Sequence, residues 1–358
     1  MVLVCIRGRR NRALGGCNVY RRGREFRNAL ERPSAWQRDG NIVRTMLGVV
    51  DDADRDPWCQ WIVRHRHAGD AEFRRELFAA FLVPLRDRLL DAAHIQDGDV
   101  VLDLGTGDGL IGFGALQRAG LSGRAIFNDL SADLLGLCRD YAAEAGVLGR
   151  CRFVLSSADD LVEVDDAFVD VVTIRSVLIY VKDKAASLRE CYRVLRPGGR
   201  LALLEPINRF IVAGHGRAFC GYEVSPVADI AAKVEALYDG IQDPVDDPMI
   251  DFDERDLLRL VTVAGFDEVH LELRADLEPR MDPQPWERFL AGSANPLVPT
   301  IGEAISQTLS DEEAGVLERH LRPLVEQGIV EHRMATALIR AVKHDEGNDA
   351  TPRPRGGG

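Results

Sequence analysis

The stretch Val100-Val-Leu-Asp-Leu-Gly-Thr-Gly-Asp-Gly-Leu-Ile-Gly112 joins a predicted buried strand to a predicted helix. Its first part is apolar except for Asp103, which is typical of a strand covered on both faces. The glycines at 105, 107 and 109 leave a turn without side chains, where backbone can approach a ligand and helix N–H groups point towards it. This stretch therefore predicts a ligand site at the carboxyl end of a strand in an α/β fold.

Short β-branched runs alternate with segments of helical periodicity from this stretch to about Glu205, which is typical of a parallel sheet with crossover helices. Ser131 is placed to cap the second crossover helix. The alternation resumes with a helix that ends at Gly265. The predicted strands are 100–104, 124–128, 152–155, 168–174, 200–204, 266–273 and 334–342. The fold class is therefore predicted to be α/β, with a doubly wound sheet.

The regular alternation divides the chain into regions. We expect a disordered basic leader at 1–50, N-terminal helices at 56–96, the α/β domain at 97–345 and a disordered tail at 346–358. Within the domain the alternation lapses twice, at 206–250 and at 275–330. We expect these two insertions to contain helices and to form a lid over the ligand.

Charge and cysteine content exclude several classes of function. The net charge is −12 although the first 45 residues hold eleven arginines, so the rest of the chain is strongly acidic and a nucleic-acid substrate is not expected. An apolar run of about 20 residues, which an integral membrane protein needs, does not occur. Seven scattered cysteines without a Cys-x-x-Cys pair predict a cytoplasmic protein with neither disulfides nor a metal site. No oligomeric state is predicted.

Three acidic residues lie at or just after the ends of successive predicted strands, namely Asp103, Asp129 and Asp159. Carboxylates at these places suit a ligand with an amine, a ribose diol and an adenine, and they would repel a pyrophosphate. The string Gly107-x-Gly109-x-x-Gly112 nevertheless matches the dinucleotide fingerprint, with Asp129 at the distance expected for a ribose ligand. A nicotinamide-dependent oxidoreductase therefore stays open as an alternative.

An ordered series of segments resembles the class I (Rossmann-like) S-adenosylmethionine-dependent methyltransferases, and among them the type 11, quinone-biosynthesis-like subgroup. The matching segments are 101–109, 128–131, 158–160, 169–172, 175–180, 194–200 and 257–269. The resemblance covers a little under half of the chain. It implies a seven-stranded, mostly parallel sheet whose last strand is antiparallel and lies between the fifth and sixth strands.

The resemblance also implies S-adenosyl-L-methionine as the cofactor and a set of residues that bind it. These are Asp103, Gly105, Gly107, Asp129, Leu130, Ala158, Asp159 and Arg175, the last through its backbone. The expected reaction is in-line transfer of a methyl group to a small-molecule acceptor. A catalytically silent relative that acts as an interaction protein is a further alternative.

The acceptor is expected to meet the loops after the fourth and fifth strands and the insertions. Candidate catalytic residues are Tyr180, His215 and Tyr222, and Glu205 and Asn208 are further candidates for acceptor contact. The insertion at 206–250 is rich in aromatic residues, so we expect an apolar or aromatic acceptor.

Overall fold

The computed structural model describes residues 55–64, 70–212, 218–242 and 246–344. The predicted leader and tail lie outside the described residues, and so does His215. The described helices are α1 Pro57–Val63, α2 Ala71–Leu77, α3 Val83–Ala92, α4 Leu110–Arg118, α5 Ala132–Glu144, α6 Lys184–Val194, α7 Asn208–Val212, α8 Ala228–Ile241, α9 Glu254–Val263, α10 Trp286–Leu290, α11 Ile301–Thr308 and α12 Asp311–Gln327. The described strands are β1 Val100–Leu104, β2 Arg124–Asp129, β3 Cys151–Leu155, β4 Val169–Arg175, β5 Leu195–Pro206, β6 Ala218–Phe219, β7 Tyr222–Glu223, β8 Phe266–Met281 and β9 Ile329–Lys343.

One sheet of seven strands organises the described part of the chain, in the order β3-β2-β1-β4-β5-β9-β8. Strands β1 to β5 are parallel to one another, whereas β9 runs antiparallel between β5 and β8. The predicted fold class and the position of the antiparallel strand are therefore confirmed. The carboxyl ends of β1, β2, β3 and β4 all meet at one edge of this sheet.

Helices cover both faces of the sheet, as apolar strands require. On one face α6 and α9 bury Leu188, Cys191 and Leu257 against the sheet. On the other face α3, α4 and α5 contribute to two further apolar clusters, with Leu89 and Leu116 among their buried residues. The sheet is thus held in a sandwich of helices, which leaves the strand ends free to form a site.

Local capping signals place several helix boundaries. The Ser131 Oγ accepts a hydrogen bond from the backbone N–H of Leu134 at 3.0 Å, so Ser131 caps α5 as predicted. Gly265, with φ +103, follows the end of α9. The start of helix α12 is fixed by a Ser310–Glu313 capping box, and Gly328, with φ +71, follows its last residue.

The two predicted insertions pack into one apolar cluster. Phe219 from β6, Val234 from α8, Ala304 from α11 and Leu321 from α12 are fully buried in it. Helices were expected in the insertion at 206–250, but the position of α8 was not predicted, because the glycine, proline and aspartate residues around it obscure its apolar face. The insertions are far apart in the sequence, and only their shared cluster shows that they form one unit, called here the insertion unit.

Three strands exceed their predicted lengths by more than one residue. β8 continues to Met281 and β9 begins at Ile329, and their paired ends connect the sheet to the insertion unit. Strand β5 includes the turn at 196–199 as a bulge, because its register with β4 shifts between Leu195 and Arg200. None of the helices in the described residues is both long enough and apolar enough to cross a membrane.

Candidate active site

A cavity of about 340 Å³ lies at the carboxyl edge of the sheet. Its lining residues come from α1 and from the loops that follow β1, β2, β3 and β4. The eight residues predicted to bind the cofactor all line it: Asp103, Gly105, Gly107, Asp129, Leu130, Ala158, Asp159 and Arg175. The structure therefore brings residues from four separate segments to one place.

Asp103, at the end of β1, is the most deeply buried acid of the cavity, with 1% of its surface exposed. Its carboxylate accepts hydrogen bonds from Thr106 Oγ1 at 2.6 Å and from Thr173 Oγ1 at 3.0 Å. Burial raises the pKa of Asp103 to about 6, although these bonds oppose the shift. At neutral pH the group is mostly ionised, so it favours a positively charged ligand group and disfavours a phosphate.

Thr173 was not predicted as a site residue. It lies on β4 directly opposite Asp103 in the parallel register. Its hydroxyl fixes the orientation of the Asp103 carboxylate. The sequence holds no local signal for this role, because the register between β1 and β4 sets it.

The glycine turn after β1 has a backbone that few other residues adopt. Gly105 and Gly107 have φ values of +61 and +57. A Cβ atom on Gly105 would lie 2.5 Å from Val177 Cγ2, which is closer than two such carbon atoms can approach. The turn therefore needs glycine both for its conformation and for the contact with the loop after β4.

Asp129, at the end of β2, ties the glycine turn to its own strand. Its carboxylate accepts hydrogen bonds from the backbone N–H of Gly107 at 2.8 Å and of Ser131 at 3.0 Å. Burial raises the pKa of Asp129 from its usual range. A carboxylate offers about four acceptor positions, so Asp129 keeps capacity for a ligand.

The loop after β3 forms another wall of the cavity. Asp159 is exposed there and accepts a hydrogen bond from Ser157 Oγ. Asn128 is buried and its side chain donates to the Ser156 carbonyl at 3.0 Å, which anchors the loop to β2. Leu130 is 67% exposed and offers an apolar contact at the mouth of the cavity.

Helix α1 covers part of the cavity, a role that the sequence did not reveal. Trp58, Trp61 and Ile62 from this helix line the cavity. Asp56 caps α1 by accepting from the backbone N–H of Trp58 at 2.9 Å. The i, i+3 spacing of the two tryptophans was an available signal, since it places both rings on one face of a helix.

Two contacts connect α1 to its surroundings. The Trp58 and Tyr180 rings meet edge to face with centroids 4.9 Å apart, so Tyr180 lies on the cavity wall as a candidate for acceptor contact. The Trp61 indole N–H donates to the Ser293 carbonyl at 3.4 Å, which links α1 to the insertion unit. The cavity-lining residues all lie between 58 and 182. The described residues of the insertion unit therefore do not line the cavity, and the unit contacts α1 through Ser293.

The other candidates for catalysis or acceptor contact lie elsewhere. Tyr222 is buried in the insertion unit, where its ring packs on Phe289 and its hydroxyl accepts from Gln284 Nε2 at 3.3 Å. Glu205 and Asn208 are also buried and do not line the cavity. Of these candidates in the described residues, the structure therefore brings Tyr180 alone to the cavity.

Groups of three or more His, Cys, Asp or Glu side chains suited to hold a metal ion are absent from the described residues. The described lining of the cavity combines carboxylates, aromatic rings and a glycine turn. This donor set suits an organic cation with hydroxyl and amino groups.

Comparison with known proteins gives matches over the same region. The model of the ubiE/COQ5 methyltransferase family matches residues 85–275. The chain is 30% identical over 182 residues to the ubiquinone/menaquinone biosynthesis C-methyltransferase UbiE of Hydrogenovibrio crunogenus, which covers 50% of this chain and 70% of that protein. The UbiE protein of Vibrio vulnificus is 34% identical over 144 residues, which cover 40% of this chain and 55% of that protein.

Among solved structures, the geranyl diphosphate C-methyltransferase of Streptomyces coelicolor A3(2) aligns with a TM-score of 0.43 and 16% identity. The alignment covers 78% of this chain and 84% of that protein.

Proposed function

Since the chain belongs to the ubiE/COQ5 methyltransferase family, we propose that it methylates a ring carbon of an apolar, quinone-type acceptor. It is an S-adenosylmethionine-dependent enzyme that transfers a methyl group to a small molecule. Its relatives are named as C-methyltransferases of ubiquinone and menaquinone biosynthesis. The observation that carries the proposed acceptor is the pair of aromatic rings, Trp58 and Tyr180, on the cavity wall.

The cavity fits S-adenosylmethionine. This cofactor supplies, when bound, a methyl carbon made electrophilic by a positively charged sulfur. Asp103 is suited to its ammonium group because it is buried and yet ionised at neutral pH. Asp129 is suited to the ribose hydroxyls and Asp159 to the adenine amino group, since each still has free acceptor positions.

The remaining predicted cofactor residues would bind through close backbone approach and apolar contacts. Gly105 and Gly107 let the backbone approach the amino-acid part, while Leu130 and Ala158 offer apolar contacts to the adenine. Arg175 lies at the end of β4 and would contribute through its backbone. These roles are the ones that follow from the family and that the geometry of the cavity supports.

Methyl transfer requires the acceptor atom in line with the breaking bond, and the exclusion of water. The chain contributes chiefly by holding the partners in that geometry. Trp58, Trp61 and Ile62 cover the cavity with apolar surface. An aromatic acceptor would pack against Trp58 and Tyr180 in the edge-to-face or offset arrangement that such rings prefer.

Two features weigh against the nicotinamide-dependent alternative. The antiparallel strand between β5 and β8 differs from the 3-2-1-4-5-6 order of dinucleotide-binding sheets. The second feature is the position of Lys184. Tyr180 and Lys184 have the Tyr-x-x-x-Lys spacing found in one class of oxidoreductases. The Lys184 ammonium, however, binds Asp251 at 2.7 Å and the Val181 carbonyl at 3.0 Å, and it does not line the cavity.

The proposal includes a cytoplasmic location, a small-molecule acceptor and a lid formed with the insertion unit. Cys59, Cys138, Cys151 and Cys191 are thiols, which supports a reducing, cytoplasmic location. The acidic body of the chain supports a small-molecule acceptor over nucleic acid. The contact between Trp61 and Ser293 supports a lid in which the insertion unit holds α1 over the cavity.

A binding and turnover assay tests the proposal. Calorimetry should detect binding of S-adenosylhomocysteine but not of NADH, and Asp129→Asn should weaken the former about tenfold or more, because bonds to a charged acceptor are lost. Hydroxylated benzoquinols and naphthoquinols with short apolar tails should be methylated at a ring carbon, as located by NMR. Turnover of polar, non-aromatic acceptors alone would refute the acceptor class.

Two tyrosine variants distinguish a role of the cavity wall in turnover from a role of the insertion unit. Tyr180→Ala should raise the KM for the quinol several-fold, because one ring of the wall is lost. Tyr222→Phe removes a hydroxyl outside the cavity and should keep turnover near the wild-type value. A large loss of kcat in Tyr222→Phe would support the catalytic role predicted for that residue from the sequence.

A further inference from the structure

Glu205 is a fully buried acid in the central sheet. It lies near the end of β5, with no exposed surface. Its Oε1 accepts hydrogen bonds from the backbone N–H groups of Val177 at 2.9 Å and Leu178 at 3.2 Å, while Oε2 has no hydrogen-bond partner. A buried carboxylate is costly, so the hydrogen bonds that it accepts have to offset that cost.

The two N–H groups belong to the segment 176–180, which follows β4. Neighbouring amides of this segment have backbone acceptors: Ser176 donates to Leu204 at 3.0 Å and Tyr180 to Val177 at 2.9 Å. The Val177 and Leu178 amides instead depend on the side chain of Glu205. The carboxylate thus takes the place of a backbone acceptor at a turn where Ser176 adopts a left-handed φ of +55.

This segment forms one wall of the cavity, through Ser176, Val177 and Tyr180. Val177 packs so closely on the glycine turn that a Cβ on Gly105 would clash with it. Tyr180, at the other end of the segment, contacts the Trp58 ring of α1. Any movement of the segment would therefore alter both the cofactor turn and the aromatic wall.

We propose that Glu205 is a positioning residue, which holds segment 176–180 against the glycine turn and α1 and thereby sets the shape of the cavity. The inference rests on the proposed cofactor site. Glu205 acts through Val177 and Tyr180 and does not itself touch the ligand.

The surroundings of Glu205 determine how it titrates. Burial raises its pKa to about 7, and the backbone bonds and the nearby Lys184 of α6 oppose the shift. Lys184 is itself paired with Asp251. On β9 the residue opposite Glu205 is Ala337, which carries no charge. An ionised Glu205 is the stronger acceptor, because hydrogen bonds to a charged group are about twice as strong as neutral ones.

The test compares Glu205→Gln, which keeps a neutral acceptor of the same shape, with Glu205→Leu, which has none. Affinity for S-adenosylhomocysteine is measured by calorimetry from pH 5.5 to 8.5. At pH 8.5 we expect Glu205→Gln to bind about fivefold more weakly than the wild type, a factor set by the stronger bonds of a charged acceptor. At pH 5.5 the two should bind equally, because wild-type Glu205 is then protonated and resembles glutamine. Titration of Asp103 affects both proteins and cancels in their ratio.

Hydrogen exchange of the peptide 175–182 supplies a readout that needs no ligand. Exchange should be faster in Glu205→Leu than in the wild type at pH 8.5, with Glu205→Gln between them. Asp247→Asn is the matched control, since Asp247 is buried, has a raised pKa and accepts from the Met249 N–H at 2.8 Å outside the cavity. It should leave the exchange of this peptide unchanged.

A wild-type to Glu205→Gln affinity ratio that stays constant across this pH range would overturn the proposal. So would unchanged exchange of peptide 175–182 in Glu205→Leu. If Glu205→Leu does not fold, Glu205→Gln still decides through its affinity ratio. If the wild type binds no S-adenosylhomocysteine, the proposed cofactor site fails, while hydrogen exchange still decides the role of Glu205.

Discussion

Asp103 and Glu205 are buried acids whose pKa values lie well above those of exposed carboxyl groups. Burial raises the pKa of Asp103 to about 6 and that of Glu205 to about 7. In the unfolded chain such groups titrate near pH 4. Between pH 4 and pH 7 the folded protein therefore binds more protons than the unfolded chain, so its stability falls as the pH rises.

We accordingly predict that the free energy of unfolding decreases from pH 5 to pH 8, by on the order of 1 to 3 kcal/mol. Urea denaturation at fixed ionic strength, followed by circular dichroism, measures this. Glutamine at position 205 cannot ionise, so the curve of Glu205→Gln should be flatter, above all between pH 5 and 7. A wild-type stability that increases over this range would contradict the assignment.

Helix α1 illustrates how a short element depends on its anchor. Asp56 caps α1, and its carboxylate also accepts a hydrogen bond from Ser131 Oγ at the start of α5. The Asp56 backbone N–H donates to Asp133 at 2.6 Å. Seven residues are too few to form a stable helix alone, so these contacts and the packing of Trp58 and Trp61 keep α1 over the cavity.

We predict that Asp56→Ala lowers stability by about 1 kcal/mol, the usual value of an N-cap. It should also weaken S-adenosylhomocysteine binding several-fold, because the cover of the cavity is loosened. Calorimetry and thermal unfolding give the two quantities.

Thr300→Ala is the matched control for Asp56→Ala. Thr300 caps α11 by accepting from the Glu303 N–H at 3.2 Å, far along the chain from the cavity-lining residues. It should lose a similar amount of stability while binding the ligand normally. Equal loss of affinity in both variants would show that α1 has no special role.

At the scale of the whole molecule, the sheet and the insertion unit have separate apolar clusters. Leu203 on β5 and Leu321 on α12 are both fully buried, the first among the residues of the sheet and the second in the insertion unit. The residues that line the cavity belong to the sheet and to α1. Damage to the two clusters should therefore affect ligand binding differently.

We predict that Leu321→Ala and Leu203→Ala each cost about 2 to 5 kcal/mol of stability. Leu321→Ala should keep its affinity for S-adenosylhomocysteine within about threefold, whereas Leu203→Ala should lose affinity because the strand ends shift. Chemical denaturation and calorimetry decide this. An equal loss of binding in Leu321→Ala would show that the insertion unit shapes the cofactor site directly.

Local patterns in the sequence were sufficient to predict the strands of the sheet and to place acids at the edge where the cavity lies. Strand β1 and the glycine turn are contiguous in the sequence. The apolar run favours a buried strand and the spaced glycines favour a tight turn, so both could be predicted from neighbouring residues alone. Asp129 and Asp159 were found because parallel strands end at one edge, which places residues that follow them together. The resemblance to a methyltransferase family supplied the antiparallel strand, which no local pattern specifies.

Only the tertiary structure shows which residues outside the strands and their loops line the cavity. Trp58 and Trp61 are brought there by contacts of α1 with α5 and the insertion unit, and Tyr222 is taken away from it by packing on Phe289. Glu205 changed from a candidate for acceptor contact to a buried acceptor for two backbone amides. The sequence by itself determined the sheet and the acids at its edge, because those follow from short-range periodicity. The cover and walls of the cavity depend on contacts between distant segments, whose energies are fixed only when the chain is folded.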